Sequence, residues 1–133
     1  MLPNNLELSI QKPYNQVMKL HDFAVELHID VGKLTRYALN KDHPKGKHKA
    51  RVFASALGFT RENYQELLQQ IEDKTLEAEA KVHHTDRHGQ HLQVDLSITG
   101  TTGETTIVRT GWLIAPGSRV ASLSTLFVLE ASE

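Results

Sequence analysis

His91-Leu92-Gln93-Val94-Asp95-Leu96-Ser97-Ile98 puts an apolar side chain at every second position and a polar one between. A period of two is the mark of a strand with one face on a core and the other in water. Gly100-Thr101-Thr102-Gly103 then reads as a turn, and residues 105–114 as a second strand carrying Val108, Thr110, Trp112 and Ile114 on one side. Ala115-Pro116-Gly117-Ser118 is another turn, followed by a last strand at residues 123–129. Upstream, a strand over residues 78–84, turning at Asp86-Arg87-His88-Gly89, would open the same meander.

Before this meander the period is helical. Leu34, Tyr37 and Ala38 share a face of a short helix that must break near His43-Pro44, because proline disfavours helix at the residue before it. A second helix from about Lys47 carries Ala50, Phe53, Ala54 and Leu57 at i, i+3, i+4 and i+7, with Gly58 as its natural end. Thr60 is an N-cap for a third, striped by Tyr64, Leu67, Leu68 and Ile71. Residues 1–32 form a separate N-terminal extension of strand and turn character. In it Leu6, Leu8 and Ile10 alternate, Lys12-Pro13-Tyr14-Asn15 reads as a turn, residues 16–24 are weakly helical, and Phe23, Val25, Leu27 and Ile29 alternate. Helices followed by strands predict an α+β domain over residues 33–133. Two or three N-terminal helices pack on one face of a three- to four-stranded antiparallel sheet.

The chain has 133 residues, enough for one core, and no cysteine, which excludes disulfides, thiolate nucleophiles and Cys-ligated zinc. No apolar run approaches the ~20 residues that span a bilayer, and Met1-Leu2-Pro3-Asn4-Asn5 does not open a signal peptide, so no membrane partner and a cytoplasmic location are expected. A net charge of −1 argues against sequence-independent duplex binding, which needs a broad basic face. Charge is instead local. Residues 41–51 hold five Lys/Arg against one acid, and an acidic stretch with Glu62, Glu66, Glu72 and Asp73 follows. Such a segment is either a solvated helix start or an anion site, with phosphate the obvious anion.

Leu34-Thr35-x-Tyr37-x-Leu39-Asn40-x-x-His43-Pro44-x-Gly46-x-x-Lys49-Ala50-x-x-Phe53-x-x-x-Leu57-Gly58 continues into Asp86-x-x-Gly89-Gln90, Val94-Asp95, Val108-Arg109-Thr110-x-Trp112 and Ser124-Thr125. Over residues 33–129 this order and spacing resembles a bacterial domain family of unknown function. That family is found as small standalone proteins and at the C-terminal tips of contact-dependent and other polymorphic toxins. In element order it is similar to the barnase, EndoU, colicin and RelE group of metal-independent ribonucleases. The chain departs from the family at His91-Leu92, where an aromatic usually follows Gly-Gln, and at Val120-Ala121-Ser122, which replaces a usual proline.

The resemblance implies cleavage of a structured RNA such as tRNA by 2′-hydroxyl attack. Without a metal, that chemistry needs a base, an acid and cations for the phosphorane oxygens. His43 is assigned the proton transfer, Lys49 and Arg109 the charge, and Thr125 a hydrogen bond to the scissile phosphate. Lys45, Lys47, Arg51, Trp112 and Ser124 are assigned to RNA binding, Trp112 by stacking on a base. His84, His88 or His91 would be a further acid or base. Structural alternatives stand beside these roles: His43 as a cap of the preceding helix, Lys45 and Lys47 as solvated side chains, Arg109 paired with a glutamate of the third helix, Ser124 and Thr125 as ordinary residues of a partly exposed strand face, and Trp112 in the core. His83, His84, His88, His91 and Asp86 invite a zinc reading, but their spacing matches no zinc signature, so no metal or cofactor is expected. Gly100-x-x-Gly103 lacks the lysine of a nucleotide loop.

Beyond RNA, a toxin implies an acidic immunity or antitoxin protein as partner. The last strand, apolar on both faces, would pair with a second copy if it lay at a sheet edge. The rival reading is a non-catalytic interaction module of a defence or toxin–antitoxin operon, binding protein or nucleic acid.

Overall fold

The computed structural model describes residues 17–129. The alternation at Leu6, Leu8 and Ile10 and the turn at residues 12–15 lie outside them. A five-stranded mixed sheet, in the order β1-β5-β4-β3-β2, is built from β1 (Glu26–His28), β2 (Ala80–Asp86), β3 (Gly89–Thr99), β4 (Thr105–Ile114) and β5 (Val120–Val128). β2 to β5 form the expected antiparallel meander. The expectation of three or four antiparallel strands is corrected by β1, which pairs in parallel with β5 at Val120–Ser122. Three residues with a partner some 90 positions away leave too brief an alternation for sequence to register as a sheet strand.

The outer edge of β5 is therefore taken by β1 along residues 120–122. Leu20 and Ala24, also within the stretch read as an extension, are fully buried in the core.

The helices are α1 (Lys47–Leu57) and α2 (Tyr64–Lys74), preceded by a π-helical turn, Lys33–Ala38. The wide turn is closed by Leu39 N–H donating to Leu34 O at 2.8 Å, five residues back. α1 buries Ala50, Phe53 and Leu57 and leaves Ala54 exposed, so its apolar stripe is narrower than the spacing suggests. It ends at Gly58, whose φ of 76° is the left-handed cap that glycine adopts without a Cβ penalty. Thr60 Oγ1 accepts from Glu62 N–H at 3.3 Å and starts a short 3₁₀ turn that leads into α2, where Leu67 and Ile71 are buried.

Against these helices the sheet places Leu92, Val94, Leu96 and Ile98 of β3 and Val108, Thr110, Trp112 and Ile114 of β4. On β5 the burial alternation changes phase: Ala121 and Leu123 are buried, then Leu126 and Val128. A bulge at Ser124 is the cause, since Trp112 faces Leu123 but Gly111 faces Thr125. That bulge is why the last strand looks apolar on both faces. Among the described residues no helix is long and apolar enough to cross a membrane.

Candidate functional site

The approach to α1 is organised by His43. Its Nδ1 accepts from the backbone N–H groups of Lys45 and Gly46, both at 3.0 Å. An imidazole that accepts at Nδ1 carries its proton on Nε2, so this is the geometry of the neutral ring. The ring fastens the turn that leads into the following helix, rather than capping the preceding one. It stands edge-on to Tyr37, with centroids 4.9 Å apart. Gly46 makes the packing behind it: a Cβ there would lie 2.5 Å from the Tyr37 carbonyl oxygen.

One turn into α1, Lys49 reaches back over the π-helical turn. Its Nζ donates to Tyr37 Oη at 3.3 Å and to Thr125 Oγ1 at 3.4 Å. It also lies 5.0 Å from the Tyr37 ring centroid and 5.3 Å from that of Phe127. Among the described residues Lys49 has no carboxylate partner. The bulge at Ser124 aims Thr125 at this ammonium, and Gly111 makes room opposite it: a Cβ there would lie 2.9 Å from Thr125 Cγ2 and 3.2 Å from Ser124 Oγ.

Tyr37, His43, Ser124 and Thr125 line a cavity of 440 Å³ with Asp30, Gly32, Lys33 and Arg36. Lys33 and Arg36 make no ion pair among the described residues, and Asp30 turns Oδ1 to the Gly32 N–H at 2.9 Å. Ser124 and Thr125 also line a second cavity of 320 Å³ on the open sheet face, together with His84, His91 and Arg109. The structure thus brings His43, Lys49, Ser124 and Thr125 together and adds Tyr37, Lys33 and Arg36, which sequence reasoning passed over. Tyr37 sits inside the family pattern, but its helical spacing with Leu34 and Ala38 reads as core.

Arg109 faces the second cavity in a bidentate pair with Asp95 of β3, both bonds 2.9 Å. That hydrogen-bonded carboxylate raises the guanidinium further above its ordinary value. The partner is thus the residue directly across the ladder, not a glutamate of a helix. Trp112 cannot stack on RNA: it is 1% exposed, and its Nε1–H donates to Thr110 Oγ1 at 2.7 Å. Lys45 and Lys47 are exposed. Arg51, two residues beyond Lys49, is turned by some 200° around the helix and lines a separate 240 Å³ cavity with Lys41 and Arg61.

His84 and His91 pair across the β2–β3 hairpin, their rings stacked at 4.1 Å, while His88 sits in the exposed turn. Asp86 joins them, its Oδ2 3.0 Å from His91 Nε2 and 3.7 Å from His84 Nε2. Desolvation by neighbours pushes the Asp86 carboxyl up, but the His88 backbone N–H and the His91 ring outweigh it and hold the group below its ordinary value.

An α+β domain with a lysine held between two hydroxyls, at the seam of its helices and sheet, is the class that fold and site define. The chain belongs to a family known as a domain of unknown function, DUF6883, whose model matches residues 19–130. No curated protein and no solved structure matches it.

Proposed function

We propose that the domain is a metal-independent RNA endonuclease of the polymorphic-toxin or toxin–antitoxin type, acting in the cytoplasm on a structured RNA such as tRNA. The observation that carries this reading is Lys49 Nζ, held between Tyr37 Oη and Thr125 Oγ1 with no carboxylate partner among the described residues. A half-buried ammonium whose two hydroxyl partners, Tyr37 and Thr125, line one cavity with Lys33 and Arg36 selects an anion, and those hydroxyls suit the oxygens of a phosphodiester. Lys49 and Thr125 hold the scissile phosphate, and Ser124 and the lysines of the α1 approach hold its neighbours.

In the reaction the 2′-oxygen–phosphorus bond forms as the phosphorus–5′-oxygen bond breaks. Tyr37 Oη takes the 2′ proton while giving its own to the leaving 5′-oxygen, and Lys49 stabilises the charge on the phosphorane. The product is a 2′,3′-cyclic phosphate and a free 5′-hydroxyl. Tyr37 replaces His43 as the base, because His43 Nδ1 is already occupied by two backbone donors and its Nε2 carries the proton. The toxin reading brings with it an acidic neutralising protein that would cover this cationic cleft.

His43's occupied nitrogen also favours a second reading, a module that binds RNA or protein without cutting. Incubation with total tRNA in EDTA separates the two. Fragments with cyclic-phosphate ends, absent with Lys49→Ala, are expected of the nuclease. Retention of intact tRNA that depends on Lys49 would establish the binding module instead.

A further inference from the structure

The β2–β3 hairpin carries a constellation that the ribonuclease reading does not use. Its register runs Val82 with Leu92 and then His84 with His91, so His83 is an inserted residue on β2. Without that bulge, continuing the first register would set His83 opposite His91 and His84 opposite Gln90. Bulges re-aim side chains, and this one turns His84 toward His91. Asp86, two residues on, shares the His84 face. His91 points away from the buried Leu92, so all three lie on the open face of the sheet.

One donor atom from each of His84, Asp86 and His91 lies within 4.8 Å of the other two. Asp86 Oδ2 is 3.0 Å from His91 Nε2 and 3.7 Å from His84 Nε2. Ligands about 2.0–2.1 Å from a tetrahedral zinc are about 3.3 Å from one another, and the two separations straddle that value. The outer groups are also in place. Asp86 Oδ1 accepts from the His88 backbone N–H at 2.9 Å, which leaves Oδ2 to the rings. His84 Nδ1 lies 2.9 Å from His83 Nδ1, a bond that leaves Nε2 free to ligate when the His84 Nδ1 is the donor.

We propose that His84, Asp86 and His91 form a three-donor site for Zn²⁺ or a neighbouring late first-row divalent ion. Two imidazoles and one carboxylate suit such ions, and the chain has no cysteine to compete for them. The stacked rings, 12° from parallel, cannot both point a nitrogen at one ion, so binding turns one of them. His84, with its side chain 51% exposed against 28% for His91, is the one free to turn. A bound ion clamps the edge strand β2 to β3 and adds positive charge to the wall of the cavity that Thr125 also lines.

The test uses the full chain, free of any histidine tag and stripped with EDTA. It is titrated with Zn²⁺ by calorimetry and with Co²⁺ by visible absorption. One ion per chain is expected, with visible Co²⁺ bands of a low-symmetry site. His91→Ala and Asp86→Asn each weaken binding at least tenfold, while His28→Ala, on β1, leaves it unchanged. Circular dichroism reports whether each variant is folded, and the exposed His84→Gln serves if the half-buried position does not tolerate change. Absence of stoichiometric binding, or equal affinity in the folded variants, overturns the site. Neither readout depends on RNA cleavage, so the proposal stands or falls apart from the nuclease.

Discussion

Lys49 Nζ donates to Thr125 Oγ1 across 3.4 Å and 76 residues of sequence, tying the first turns of α1 to the bulge of β5. The contact fixes where the cation stands relative to the sheet. Since no carboxylate accompanies it among the described residues, its charge is available to a ligand. Replacing Lys49 by Ala is expected to lower the rate of tRNA cleavage by about 10²–10³-fold, the range for loss of one preorganised charge donor. The folded state should be little affected, because the bonds lost go to neutral hydroxyls beside solvent. Single-turnover cleavage and thermal unfolding, measured side by side, check both halves.

Tyr37→Phe keeps the ring against His43 and Lys49 and removes only the hydroxyl. If the phenol moves the proton, cleavage drops by at least about 10²-fold, while tRNA affinity stays within a few-fold. An equal fall in both would assign the hydroxyl to binding alone. Gel shift and cleavage assays on the same samples give the comparison.

The order of elements and the inner face of the sheet were legible because β3 and β4 alternate without interruption. At β5 alternation failed, because the bulge at Ser124 reverses which residues face inward. β1 was hidden by its three-residue length and its distant parallel partner. The site was legible in part. Lys49 and His43 stood out as a local concentration of charge and imidazole, whereas Tyr37 looks like any core residue until the chain folds. The misplaced residues failed for definite reasons. Trp112 follows the inward period of β4, and Arg109 had a carboxylate directly opposite that only the register identifies.

The Arg109–Asp95 pair is about one-third exposed on each side, so its contribution is that of a surface bridge with good geometry, about 1 kcal/mol or less. Arg109→Ala and Asp95→Ala should each destabilise the fold by no more than that, and a double-mutant cycle should return a coupling of the same size. Cleavage by Arg109→Ala is expected to fall far less than by Lys49→Ala. A loss as large as that of Lys49 would mean that RNA draws the guanidinium away from Asp95.

Trp112 is expected to behave as core. Trp112→Ala should cost about 3–5 kcal/mol in chemical denaturation, the range for truncating a buried aromatic. Trp112→Phe should leave tRNA cleavage and affinity unchanged at a temperature where the variant is folded. A selective loss of RNA affinity in the folded Phe variant would contradict the burial.

Gly111→Ala tests whether the bulge positions the site. The added methyl would meet Thr125 Cγ2 at 2.9 Å and Ser124 Oγ at 3.2 Å, so these two residues must shift by tenths of an ångström. The backbone at position 111 lies within a strand and has no need of a positive φ, so the fold should accept alanine with a cost of about 1–3 kcal/mol, as for other overpacked sites. Thr125 would move away from Lys49, and cleavage should fall by about tenfold or more while the circular dichroism spectrum stays native. Thr125→Ser, which removes the crowded methyl and keeps the hydroxyl, should restore part of that loss in the Gly111→Ala background. Rescue separates a displaced hydroxyl from a general weakening of β4, which serine at position 125 would not repair.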